Sequence, residues 1–456
     1  MEATIGVDAT NVFPRIFDHD YPNIERGEGV RLYRTDGGAI LDASSGGAMV
    51  TCLGHGARAV IEAAAAQGER IAYVYNHHFS NEPAERLAAR LIEVAAPEMA
   101  RARFVSGGSE ANETAVRLAR SYHVDRGEPD RWRIISPAQS YHGALTGALS
   151  LTGRTTLREP FSQYLSPHLH IPPSTRRRDP TGEAALAALD RALEEAGPGT
   201  VAAFVCEPVS AAALPAYSPP TGFWEGLDQR RAEHGFLVCF DEIVTGMGRT
   251  GSWFAYQDLP LEPDIVTAGK SLGAGYFPLA AVLCREHVYD VLDNGSRDFD
   301  LGHTWDAAPL PCAIGLAVID QLVERRLVDR VRARGPSLLD ELDAAVGGMD
   351  IVGEVRGRGF LLGVELVDPR DGESYLPDEF GAGAWVENRA LDRGLLVLST
   401  HSTPDGFAGD ELLLAPAYTS TDEELSEMIE RFAAALGEVE SEIARRLHGE
   451  RGTGAP

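Results

Sequence analysis

The sequence predicts an α/β fold built on a mostly parallel sheet with helices on both faces. Short apolar runs alternate with longer segments of helical period through the middle of the chain, as in βαβ units. The runs Val201–Cys206 and 236–240 are apolar throughout, which is the pattern of strands buried on both faces. Both end on acidic residues, Glu207 and the pair Asp241-Glu242, and open parallel sheets gather ligands beyond the carboxyl ends of their strands.

The elements follow in order. Residues 29–42 (GVRLYRTDGGAILD) read as a hairpin turning on Thr35-Asp36-Gly37-Gly38. Residues 109–122 place Ala111, Ala115, Leu118 and Tyr122 on one helical face. Residues 132–136 form a short apolar strand, 184–196 a helix, and 224–234 a further helix between the two apolar strands. Strands follow at 264–268 and 280–284. Beyond them, 316–345 reads as helical, 360–366 and 394–398 as strands, and 421–448 as a closing helix. The change in pattern at the two ends predicts a smaller α+β domain built from residues 1–60 and about 311–456, with residues 61–310 as the large domain.

Composition narrows the function. The chain has 456 residues, 44% hydrophobic and 24% charged, which is ordinary for a soluble globular protein. Its net charge of −27 repels nucleic-acid phosphates and acidic lipid, so neither is an expected partner. The five cysteines, Cys52, Cys206, Cys239, Cys284 and Cys312, are scattered and form no C-x-x-C pair, against both a disulfide framework and a zinc site. That usage fits a reducing compartment. The first residues lack an apolar leader and no stretch approaches a membrane span, so a cytoplasmic location is expected.

Four segments carry chemistry. In FVSGGSEAN (104–112), Gly107 and Gly108 precede a helix start with Ser109 placed as its cap, a geometry suited to phosphate; a plain capped helix has the same pattern. Asp241 follows an apolar strand and needs a cationic partner, either a structural arginine or lysine or a protonated pyridine nitrogen. Lys270, between an apolar strand and the glycines of GKSLGAG, sits where crowding lowers an amine pKa enough for imine chemistry. A P-loop would need glycine at the position of Asp264, so Gly269-Lys270-Ser271 is not one. Tyr141, beside His142 and Gly143, offers a ring to stack on a flat cofactor or simply a core tyrosine.

In order and spacing these segments resemble the class III aminotransferases, pyridoxal-phosphate (PLP) enzymes of fold type I, from Val12 to about Ala435. SNEPAERLA (80–88), FVSGGSEA and STPDGFAGDELLLAP (402–416) are similar to a bacterial subgroup of that family. The resemblance implies a large domain on a mostly parallel seven-stranded sheet plus the smaller α+β domain. It implies that Lys270 forms the Schiff base and shuttles the proton, and that Asp241 holds the pyridine nitrogen. It further implies that Ile243 and Tyr141 flank the ring, that His142 belongs to the cofactor site, and that Gly108 and Ser109 take the phosphate. Thr304, in GHTW, would reach the phosphate of a neighbouring subunit, making a homodimer, or a pair of dimers, part of the site. Glu207 would stand near the substrate, and Arg356 looks structural. No metal is implied. The activity implied is a ping-pong transfer of an amino group from an amine or amino acid to a keto acid, aldehyde or ketone.

Two departures bear on the substrate. Leu398 occupies the place where many amine:pyruvate transaminases carry a carboxylate-gripping arginine. Val244 stands where members acting on basic amino acids often have glutamine, and both changes point away from ornithine-type substrates. An aminomutase and a decarboxylating transaminase share the fold; a silent PLP-fold binding protein conflicts with the intact Lys270 and Asp241. A Rossmann dehydrogenase fails because SGGSEA lacks the G-x-G-x-x-G spacing.

Overall fold

The computed structural model describes residues 4–451 apart from 7–9, 18, 96–98, 177–178 and 401–408. Residues 402–408 of the STPDGFAGDELLLAP motif therefore lie outside the described residues.

The central sheet has seven strands: β1 (Met99–Val105), β2 (Arg133–Pro137), β3 (Leu169–Ile171), β4 (Val201–Cys206), β5 (Leu237–Glu242), β6 (Ile265–Ala268) and β7 (Ala280–Arg285), in the spatial order β1-β7-β6-β5-β4-β2-β3. Only β7 runs against the rest, pairing antiparallel with both β6 and β1. The expected mostly parallel sheet is thus present. Strands β4, β5 and β6 are buried at every position, which explains why their sequences are apolar runs rather than alternations. Because β1, β2, β4, β5 and β6 share one direction, their carboxyl ends open on the same edge.

The chain ends build two further four-stranded sheets. One contains Val352–Arg358, Leu361–Leu366, Glu411–Leu414 and Leu398–Thr400; the other contains Leu395–Leu396, Ala39–Asp42, Arg31–Arg34 and Ile24–Glu28. The run 394–398, expected as one strand, therefore divides: Leu395–Leu396 pairs with the N-terminal segment, while Leu398 turns to pair with Leu413. The helical stretch expected over 316–345 is present as two helices, Pro309–Glu324 and Leu327–Val346. They part at Arg326, whose φ of 50° is left-handed and cannot continue a helix.

Arg249 ties these layers together and was not singled out in the sequence. Its side chain is fully buried; it donates to the carbonyl oxygens of Phe360 (3.1 Å) and Pro416 (2.6 Å) and to Ser45 Oγ (3.1 Å). The guanidinium also lies 4.6 Å from the centre of the Tyr418 ring. Arg249→Leu would strand three buried acceptors, so it is expected to cost about 3 kcal/mol or more, read as a lowered chemical-denaturation midpoint. A midpoint equal to that of the parent chain would show that the network contributes little.

Candidate active site

A cavity of about 190 Å³ opens at the carboxyl edge of the central sheet, walled by Gly108, Ser109, Tyr141, His142, Glu207, Asp241, Ile243 and Lys270 together with Asn112 and Val244. Each expected site residue except Thr304 is there. Thr304 is exposed and is not among the cavity walls of this single chain.

Alternation along β5 separates two adjacent carboxylates. Asp241 turns to the cavity. Its Oδ2 accepts from Asn112 Nδ2 at 2.7 Å and lies 2.8 Å from His142 Nδ1; its Oδ1 accepts from Ile243 N–H at 3.0 Å and Thr267 Oγ1 at 3.4 Å. Glu242 turns away and accepts from the backbone N–H groups of Ala255 and Tyr256, at 2.9 and 2.8 Å, so it fastens a loop. The Asn112 amide is itself fixed by the His142 carbonyl and by Thr267. Sequence reading missed Asn112 and Thr267. The signal for Asn112 was available: it lies one helical turn beyond Gly108, on the same face.

Lys270 leaves β6 through Gly269 with a left-handed φ of 44°. Burial pulls its ammonium down to about 8, against the neighbouring charges of Asp241 and Glu207, which favour the charged form. A larger share of the amine is therefore neutral and nucleophilic near neutral pH than at an exposed lysine.

The helix α1 (Gly108–Asp125) begins at the cavity. Its cap is Gly107, not Ser109; the Ser109 Oγ instead accepts from Ala144 N–H at 3.1 Å, joining the helix start to the loop that carries Tyr141 and His142. Close approach explains the glycine here: a Cβ on Gly108 would stand 3.1 Å from Ile243 Cγ2. The first N–H groups of α1 have no partner within the helix and carry the positive end of its dipole, which suits a phosphate.

Glu207 follows β4 and accepts from Ala211 N–H (3.1 Å) and Tyr141 N–H (3.2 Å). Burial pushes its carboxyl up to about 7, with the Asp241 charge adding to the rise. Below that pH the group is neutral; above it a negative charge enters the cavity wall. KM for an anionic amine is expected to rise roughly threefold to tenfold as pH passes through about 7, and Glu207→Gln is expected to flatten the profile. An unaltered step in the variant would assign the titration to another group.

Val244 and Leu398 belong to one apolar cluster with Met49, Ala211 and Leu413. Leu398 therefore offers packing and no charge, and it is not itself among the residues that wall the cavity. Arg356 pairs with Glu411 and Glu354 and donates to the Pro215 carbonyl at 2.7 Å, within the small sheet.

These features fit PLP. The phosphate has a helix start, the pyridine nitrogen a buried carboxylate, the ring the Ile243 side chain, and the aldehyde a lysine with a lowered pKa. His142, a residue of the cavity wall, also keeps a buried Nε2 with no hydrogen-bond partner among the described residues.

The family model for class III aminotransferases matches residues 16–436, and the chain belongs to that family. It is accordingly a PLP-dependent aminotransferase that passes an amino group from an amine or amino acid to a carbonyl acceptor. It is 34% identical over 432 residues to an uncharacterized aminotransferase, YodT, of Bacillus subtilis, covering 93% of this chain and 97% of that one. It is 31% identical to gamma aminobutyrate transaminase 3 of Solanum lycopersicum, covering 96% and 84%. Among solved structures, an (S)-enantioselective omega-transaminase from Thermomicrobium roseum superposes with a TM-score of 0.86 at 34% identity, covering 94% of this chain and 96% of that one. A PLP-bound amine transaminase from an uncultivated Pseudomonas species superposes with a TM-score of 0.84 at 31% identity, covering 91% and 95%.

Proposed function

We propose that the chain is an ω-type transaminase for primary amines, with Lys270 as its catalytic residue and a keto acid such as pyruvate as the acceptor. The observation that carries this reading is the Lys270 amine, its pKa lowered to about 8, in one cavity with the Asp241 carboxylate. PLP, when bound, supplies an electron sink for the amine-bearing carbon. Asp241, braced by Asn112, His142 and Thr267, keeps a negative charge where the pyridine nitrogen would lie. Ile243 and Tyr141 confine the ring between them, and Gly108 and Ser109 present N–H groups to the phosphate. Lys270 Nζ removes the proton from the substrate's amine-bearing carbon and returns it on the far side of the transfer. Glu207 stands beside the substrate.

We assign Thr304 to the phosphate site of a partner subunit in a homodimer. Support comes from the exposed aromatic side chains Tyr73, Tyr75, Phe79 and Trp305, with Tyr73 and Trp305 edge to face at 5.7 Å. Such a patch beside Thr304 is what a subunit interface would cover. We assign the small domain to residues 1–60 and 311–456, and the large domain to 61–310. A cytoplasmic location is supported by the five cysteines, which are free and buried. Among the described residues no helix is long and apolar enough to cross a membrane.

The test is a donor and acceptor panel on the PLP-loaded protein, followed by cofactor absorbance. One amine should bleach the cofactor band and one keto acid should restore it. Isomerisation of a single substrate without an acceptor would replace this reading with an aminomutase, and CO₂ release with a decarboxylating transaminase. Sedimentation should give twice the 49.0 kDa chain mass; a monomer that turns over would remove Thr304 from the site.

A further inference from the structure

A second cavity, of about 360 Å³, lies at the β1 edge of the central sheet and shares no wall residue with the active-site cavity. Small-molecule sites span roughly 300–1,000 Å³, so it is large enough to be one. The pleat sets its floor. Arg101 and Arg103 are two apart on β1 and point to one face, and their register partners on β7, Cys284 and Val282, point to the same face. From α1 come Thr114 and Leu118, one helical turn apart and so on one side of the helix. The helix α2 (Glu286–Asn294) adds Tyr289 and Leu292, and Phe299 follows beyond it. The segment between α2 and Phe299 is fastened to the end of α1, where Ser296 Oγ donates to Asp125 Oδ2 at 2.7 Å.

Two donors belonging to these walls lack a partner. Thr114 is 1% exposed, yet its Oγ1 has no hydrogen-bond partner among the described residues. A helical threonine can donate to a carbonyl of the preceding turn, and this one does not. Arg103 gives Nη2 to Asp306 and lies 5.3 Å from the centre of the Phe299 ring, but its buried Nε has no partner. Buried polar groups are nearly always bonded, so two orphans in the walls of one cavity are a cost that an incoming acceptor would recover. The remaining groups say what should carry that acceptor. Leu118, Val282 and Leu292 are buried apolar surfaces. Arg101 lies 4.1 Å from the centre of the Tyr289 ring and has no acidic partner among the described residues, so the cavity favours an anion. A carboxylate accepts at both oxygens and donates at neither, which matches two single donors.

We propose that this cavity is a second small-molecule site, separate from the site of amino transfer, that takes a monocarboxylate with a compact apolar or aromatic body. The carboxylate meets Thr114 Oγ1 and Arg103 Nε, and the body rests on Leu118, Val282 and Leu292. Nothing in this assignment depends on which amine the enzyme uses.

The test is calorimetric titration of 3-phenylpropanoate into the PLP-loaded full chain, with 3-phenylpropan-1-ol as the uncharged control. The acid should bind, and the alcohol should bind at least about tenfold more weakly. Thr114→Val keeps the shape of the side chain and removes the orphan hydroxyl, so it should weaken the acid roughly 10- to 100-fold. Leu118→Trp fills the cavity and should abolish binding. Cofactor absorbance equal to that of the parent shows that each variant has folded. Absence of binding to the parent chain overturns the proposal, and so does equal affinity for acid and alcohol. Unchanged affinity in Thr114→Val overturns it whatever Leu118→Trp does, because the probe then sits elsewhere; full binding to a folded Leu118→Trp has the same meaning. Should Leu118→Trp fail to fold, Thr114→Val decides alone.

Discussion

Lys270→Ala is expected to lower the rate of amino transfer by at least about four orders of magnitude, because it removes both the covalent anchor and the acid–base group. The loss should appear in single-turnover reaction with an amine and not only in steady state, since the missing step is chemical. The rest of the cavity should stay assembled: the Asp241 network contains Asn112, His142, Thr267 and Ile243, none of which touches Lys270 through a hydrogen bond. Added methylamine should restore part of the rate, as a free amine can take up the proton that the side chain no longer carries. A variant that turns over within tenfold of the parent would mean that another group does the chemistry.

The second large effect is expected at Asp241. Asp241→Asn removes the charge and also reverses a donor pattern: Oδ2 accepts from Asn112 and faces His142 Nδ1, while Oδ1 accepts from Ile243 N–H and Thr267. An amide NH₂ in place of either oxygen meets a donor. The expected loss in kcat is roughly 10²- to 10³-fold, the scale of removing one preorganised electrostatic partner. The cofactor absorbance should shift with pH in the variant as the ring nitrogen loses its proton, and Asp241→Glu should recover some of the rate. If Asp241→Asn keeps kcat within threefold, the carboxylate is structural, and its natural partner is His142.

The strands that were legible in the sequence are those whose burial leaves no choice of pattern. Val201–Cys206 matches its apolar run, and the helix over Glu183–Ala196 matches its period. The strand Leu169–Ile171 went unseen because three residues at a sheet edge make no pattern. The break at Arg326 was hidden because nothing in its side chain announces a left-handed backbone, and the apolar period continues on either side. The same holds within the site. Lys270, Asp241 and Glu207 could be found because each ends an apolar strand, a position visible in one dimension. Thr267 and Arg249 could not, since their roles depend on partners far along the chain: Thr267 bonds Asn112, and Arg249 bonds Phe360, Pro416 and Ser45. Ser109 lines the cavity, but it holds the Ala144 N–H and is not the helix cap.

The left-handed backbone at Lys270 has a consequence for how this protein can change. An L-residue in that conformation costs roughly 1–2 kcal/mol relative to glycine. The same residue also carries an amine into a place where burial opposes its charge. Glycine at position 270 would relieve both, so the most stable sequence for this fold differs from the active one at its central residue. A search for stabilising substitutions that scored folding alone would reach position 270 early and silence the enzyme there, whereas selection for turnover keeps a lysine that the fold by itself would discard.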